Sequence, residues 1–153
     1  MSSQTMRSFL NNPLLNLLFF SFVLNSTWEW IQTPFFIDIT SDLNTIVWYR
    51  IHCTLGDTLI MLAGYALISL YHKDYKWIAH AHIKHFAVLT AMGVIYTSIS
   101  EYVNVYIKHN WLYSSYMPLL PVIRIGLIPL VQWIILPPAI VLFTKRQIKN
   151  CDK

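Results

Sequence analysis

The sequence predicts an all-α, polytopic membrane protein, a four-helix transmembrane bundle in a single integral membrane domain spanning residues 1–153. Three observations carry this prediction. Composition is 56% hydrophobic and only 12% charged, against about 25% charged in an ordinary soluble domain. No charged side chain occurs between Arg7 and Glu29 or between Arg124 and Lys145, and both gaps approach the roughly 20 residues that cross a hydrocarbon core. The ionisable side chains Glu29, Arg50, His52, Asp57, Glu101 and Arg124 lie inside otherwise apolar stretches. Each costs a few kcal/mol at membrane depth, so such groups persist where they are paired, hydrated or used.

The helices are expected near 13–33, 45–71, 86–107 and 119–144. Asn12-Pro13 starts the first as cap and first-turn proline, and Pro34 ends it. Its run Leu14 to Leu24 has the length of a secretory h-region. The following Asn25-Ser26-Thr27-Trp28-Glu29 offers no small-x-small cleavage site, so the helix is expected to be retained. The apolar runs Thr58 to His72 and Phe86 to Ser100 are short, and they span only if Arg50–Asp57 and Glu101–Tyr106 are counted with them. Between the third and fourth helices, Trp111 to Pro118 reads as an aromatic collar at the outer interface. Pro129 and Pro137 remove backbone donors inside the expected fourth span, which predicts kinks there.

Basic residues set the expected orientation. With the N-terminus inside, Arg7, Lys73, Lys76, Lys84, Lys145, Arg146, Lys149 and Lys153 fall on the cytoplasmic side, and only Lys108 among the flanking residues falls outside. That is the positive-inside pattern, with both termini cytoplasmic. The net charge of +4 is then explained by topology, and the expected partner is membrane lipid rather than nucleic acid. Cys53 and Cys151 fall near opposite faces, too far apart for a disulfide within one chain. Homo-oligomerisation stays open.

The two helical hairpins share a pattern. Glu29-Trp30 is followed by Arg50-Ile51, and Glu101-Tyr102 by Arg124-Ile125, as a parallel repeat about an axis along the membrane normal would give; coincidence is the competing explanation. Helical spacing adds polar stripes. Ser21, Asn25, Glu29 and Gln32 share a face, as do Arg50, Cys53 and Asp57, and Thr97, Glu101, Asn104 and Lys108; Gln132 lies within a quarter-turn of Arg124. Gly56 and Gly64 are read as allowing close backbone approach. Stripes on all four helices converge on the bundle interior, in its outward half.

Two roles for these residues compete. Arg50 and Arg124 can neutralise Glu29 and Glu101 as structural ion pairs. That leaves Asp57 with no cation except His52, about 18 Å into its helix, where a carboxyl must be protonated or hydrogen-bonded. A protonated carboxyl in an apolar pocket is a general acid. The expected catalytic set is therefore Glu29, Asp57, Glu101 and His52, with Arg50, Arg124, Asn25, Asn104 and Trp28 as substrate-binding or ion-pair residues. No metal and no cofactor are expected, because no span holds Glu-x-x-His or His-x-x-x-His spacing. His72, His80, His82 and His85 read as interfacial histidines of the cytoplasmic connection.

Asn25-Ser26-Thr27-Trp28-Glu29 resembles a motif of small membrane-embedded terpene cyclases. In that family a Trp-Glu pair shortly after an asparagine supplies an acid implicated in protonating the substrate, and a second intramembrane acid also matters. The resemblance implies Glu29 as proton donor and Asp57 or Glu101 as the second acid. It covers five residues, and those cyclases have more helices. Acid–base chemistry on an isoprenoid or other small hydrophobic lipid is thus the leading expectation. A transport or proton-relay component and a non-catalytic accessory subunit are the alternatives.

Overall fold

A computed structural model describes residues 11–37 and 42–151. Four helices account for most of them: α1 (Pro13–Ile31), α2 (Leu43–His72), α3 (Ile83–Tyr102) and α4 (Leu127–Cys151). Each packs on its sequence neighbour, and α1 also packs on α4. The ring so closed is an up-down-up-down four-helix bundle. Among the described residues, three helical segments are long and apolar enough to cross a membrane: Leu43–His72, Ile83–Ile107 and Leu127–Ile148. The expected first span is not among them. Helix α1 is 19 residues long and devotes Asn16, Ser21, Asn25 and Glu29 to its buried face.

Local chemistry explains the helix starts. The Asn12 side chain accepts from Leu14 N and Leu15 N, with Pro13 in the first turn where no donor is needed. Asp42 caps α2, accepting from Thr45 N at 3.0 Å and Thr45 Oγ1 at 2.7 Å. Helix α2 ends at Lys73, whose φ of 53° gives the left-handed turn that closes a helix. Helix α3 continues into a π-helical turn, Val103–Ile107, sealed by Lys108 N to Val103 O at 2.8 Å.

The fourth helix corrects the expected boundary near 119. Residues 119–126 form a looped turn instead, with Leu120 N donating to Ile125 O and a bridge between Leu119 and Gly126. Pro118 precedes this stretch and Pro121 lies within it, and neither can donate to a helix. Pro129 thereby falls in the first turn of α4 and breaks no internal bond, so the kink expected there has no cause. Pro137 and Pro138 do lie inside the helix.

The core occupies the half of the bundle nearer the 73–82 connection. Leu17, Met61, Tyr65, Ile68, Leu89, Trp133, Leu136, Ile140 and Val141 form it, closed below by Trp77 and Ile78. Helices α3 and α4 meet at Gly93, where an added Cβ would overlap the Trp133 ring. Helices α2 and α3 meet at Gly64, against Leu89. Gly56 departs from its expected role: a Cβ there would meet nothing within 4 Å. At the other end, strands β1 (Phe36–Ile37) and β2 (Leu112–Tyr113) pair antiparallel, and Ser114 adds bonds to Phe35 O at 3.0 Å and Pro34 O at 2.9 Å. This ribbon ties the α1–α2 connection to the α3–α4 connection.

Candidate functional site

Where the core stops, the helices enclose a cavity of about 450 Å³. Helix α1 contributes Glu29; α2 contributes Arg50, His52, Cys53, Gly56 and Asp57; α3 contributes Tyr96, Thr97, Ser100 and Glu101; α4 contributes Pro129 and Gln132. Phe36 of the β-ribbon and Trp111 just before it also line the wall, as do Gln32, Trp48 and Tyr49, with Asn104, Lys108 and Asn110 at the π-helical end. Three carboxyls from three helices therefore meet one cavity. All four expected catalytic residues line it.

Each carboxyl is held by a neutral partner. Glu29 is buried and accepts from Gln32 Nε2 at 2.8 Å, while Trp28 Nε1 donates to Gln32 Oε1 at 3.1 Å. Trp28 does not reach the cavity; it fixes the side chain that fixes Glu29. Asp57 Oδ2 accepts from Gln132 Nε2 at 2.6 Å, and the same amide donates to Asn25 Oδ1 at 2.9 Å. Asn25 in turn donates to Ser21 O and Ser21 Oγ within its own helix. Glu101 Oε2 accepts from Tyr113 Oη at 2.7 Å. The Tyr113 phenol, outside the helices, has its pKa raised, by burial first and then by the neighbouring Glu101 carboxyl.

Several expectations change here. Among the described residues, no ion pair joins Glu29 to Arg50 or Glu101 to Arg124 within 4 Å. Arg50 is buried on the cavity wall, 5.9 Å from the Phe36 ring centroid. Arg124 is exposed in the turn before α4, at φ 53°, and its carbonyl accepts from Tyr106 Oη at 2.7 Å. It does not line the cavity. The hairpin repeat fails at the same point, since Arg50 lies within α2 and Arg124 precedes α4. His52 lines the cavity but is largely exposed, its ring 6.2 Å from that of Trp48. Asn104 lines the rim, donating to Ser100 O at 2.9 Å and accepting from Asn110 Nδ2 at 2.7 Å.

The expected aromatic collar proves to be a cover. Tyr113 and Trp111 turn inward over Glu101, and the Trp111 indole nitrogen is buried. A tyrosine at a membrane interface and one that covers a cavity look alike in sequence. Gln132 was legible only as a polar residue inside an apolar helix, and its two partners were not.

Histidines at the far end form structural contacts. His82 N donates to His85 Nδ1 at 3.2 Å, and His85 Nε2 lies 3.2 Å from His72 Nε2, linking the ends of α2 and α3. His80 pairs with Asp74 at 3.0 Å. Among the described residues, no group of three or more His, Cys, Asp or Glu side chains is arranged to hold a metal ion.

No family model, no curated protein and no solved structure matches this chain. Fold and site thus define the class by themselves: an all-helical bundle, with three helices able to cross a membrane, around a carboxyl-lined cavity.

Proposed function

We propose that the protein is a small integral membrane enzyme performing acid–base chemistry on an isoprenoid or other lipid. The observation that carries this reading is the convergence of Glu29, Asp57 and Glu101 on one cavity whose inner end abuts an apolar core. A protonated carboxyl there transfers its proton to a substrate double bond, and a second carboxylate removes a proton from a neighbouring carbon. One proton enters and one leaves, so isomerisation or cyclisation by this route needs no oxidant or reductant. Trp48 and Tyr49, which line the cavity, can stabilise the intervening cation through their ring faces.

Glu29 takes the donor role in this scheme, because the Trp28–Gln32 relay orients it. Asp57 or Glu101 takes the returning proton. In the bilayer, the basic residues of the 73–84 and 145–153 segments face the cytoplasm, and the cavity lies in the outward half.

Mass spectrometry of lipid retained after purification in mild detergent tests this. Wild type is expected to keep a specific lipid that Glu29→Gln or Asp57→Asn loses or exchanges. Identical bulk lipid in all three, at equal stability, overturns the reading.

A further inference from the structure

Helices α2 and α3 do not stay together along their length. At Gly64 they touch, since an added Cβ would lie 2.5 Å from Leu89 Cδ2. Eight residues earlier, about 12 Å along the helix, Gly56 lines the cavity and a Cβ there would meet nothing within 4 Å. His52 on α2 and Tyr96 on α3 both line the cavity and are also exposed, so the cavity reaches the surface between these two helices beside Gly56. The cavity therefore has a side opening, framed by Gly56 and His52 on α2 and by Tyr96 and Ser100 on α3.

Size adds a second constraint. A volume of about 450 Å³ holds on the order of 15 heavy atoms at the roughly 30 Å³ that each water-sized group occupies. That accommodates a polar head and about a dozen chain carbons, so a longer-chain lipid does not fit whole. The remainder must leave the cavity. The β-ribbon and the 111–118 segment cover its outer end, and the Leu17–Val141 core seals its inner end. The side opening is left, and the surface beyond it is apolar: Leu55 and Leu59 on α2 and Ile95 and Ile99 on α3 are exposed.

We propose that the Gly56 opening is a lateral portal through which a single-chain lipid places its head among the carboxyls while its tail stays in the bilayer. The proposal rests on the lipid reading above and adds the entry route and the form of the ligand. A head that donates hydrogen bonds, such as an alcohol, suits a cavity whose carboxyls present acceptors. An aqueous route through the outer end would instead have to break the Tyr113–Glu101 bond and the ribbon.

Photo-crosslinking of the full-length protein in phosphatidylcholine vesicles, with a diazirine-bearing C24 alcohol too long for the cavity to hold whole, tests the portal. Wild type is expected to crosslink at peptides from α2 and α3. Gly56→Phe, whose Cβ meets nothing within 4 Å and whose ring extends into the opening, is expected to reduce cavity crosslinking at least fivefold, with Gly56→Ala near wild type and melting temperatures unchanged. Crosslinking by Gly56→Phe equal to wild type overturns the portal and leaves the lipid cavity standing. Absence of cavity crosslinking in wild type overturns both. Where Gly56→Phe melts early, Tyr96→Trp, on the opposite edge, gives the same comparison, and equal crosslinking there also overturns the portal.

Discussion

Gln132 on α4 and Asp57 on α2 are joined across the bundle by a 2.6 Å hydrogen bond, although 75 residues separate them in the chain. The same amide nitrogen reaches Asn25 on α1 at 2.9 Å. Both amide hydrogens of Gln132 are thereby used, and one side chain ties three helices at the floor of the cavity.

Replacing Gln132 with leucine removes both bonds and leaves the buried Asn25 carbonyl without its donor. The expected loss is about 1–2 kcal/mol, in the upper range for interhelical polar contacts. Denaturation of the purified protein in mixed micelles measures it. Asn25→Leu in the same background is expected to recover part of the loss, and additive losses would show that the two side chains do not interact.

Gly93→Val is expected to destabilise by roughly 1–3 kcal/mol through overpacking, because even a Cβ would overlap the Trp133 ring. Trp133→Ala should relieve that overlap, so the double variant loses less than the sum of the single losses. Melting temperatures of the four proteins form the cycle.

Tyr113→Phe removes the 2.7 Å hydrogen bond from the cover to Glu101, at an expected cost of about 1 kcal/mol. It also changes the alkaline limb of the stability profile. Because the phenol's folded-state pKa is raised above its ordinary value of 10.0, its contribution is complete below that pH and is lost progressively as pH rises above it. A pH series of melting temperatures between 8 and about 11.5 should fall less steeply for Tyr113→Phe than for wild type. Parallel curves would show that the phenol is equally free to ionise in both states.

Trp77→Ala is expected to cost about 3–5 kcal/mol, the ordinary loss for a buried indole. Trp77 is 1% exposed, donates to Ser69 Oγ at 3.2 Å and stacks edge-on against His85 at 4.8 Å. Hydrogen exchange should show the 73–82 connection opening in this variant while the 111–118 cover keeps its protection. Equal loosening at both ends would mean that the connection and the cover unfold as one unit.

Much of the bundle was legible because helices are written locally. Asn12-Pro13 set the start of α1, and apolar runs separated by basic connections set the number of helices. The stripe Ser21, Asn25, Glu29 and Gln32 is buried as its spacing implies. What misled was equivalence inferred from dipeptides. Arg50 and Arg124 look alike beside isoleucine, yet Pro118 and Pro121 keep the second out of a helix, and no count of spacing weighs that interruption correctly.

By itself, then, the sequence determined four helices, the polar face of each, and the grouping of Glu29, Asp57 and Glu101 at one end, since side-chain direction follows from helical period alone. Only the tertiary structure decided which partner each acid has. Gln132 meets Asn25 across 107 residues, Tyr113 folds back onto Glu101, and Gly56 faces open space on the cavity wall. Those outcomes depend on how helix axes cross and where connections fall, and periodicity within one helix carries no term for either.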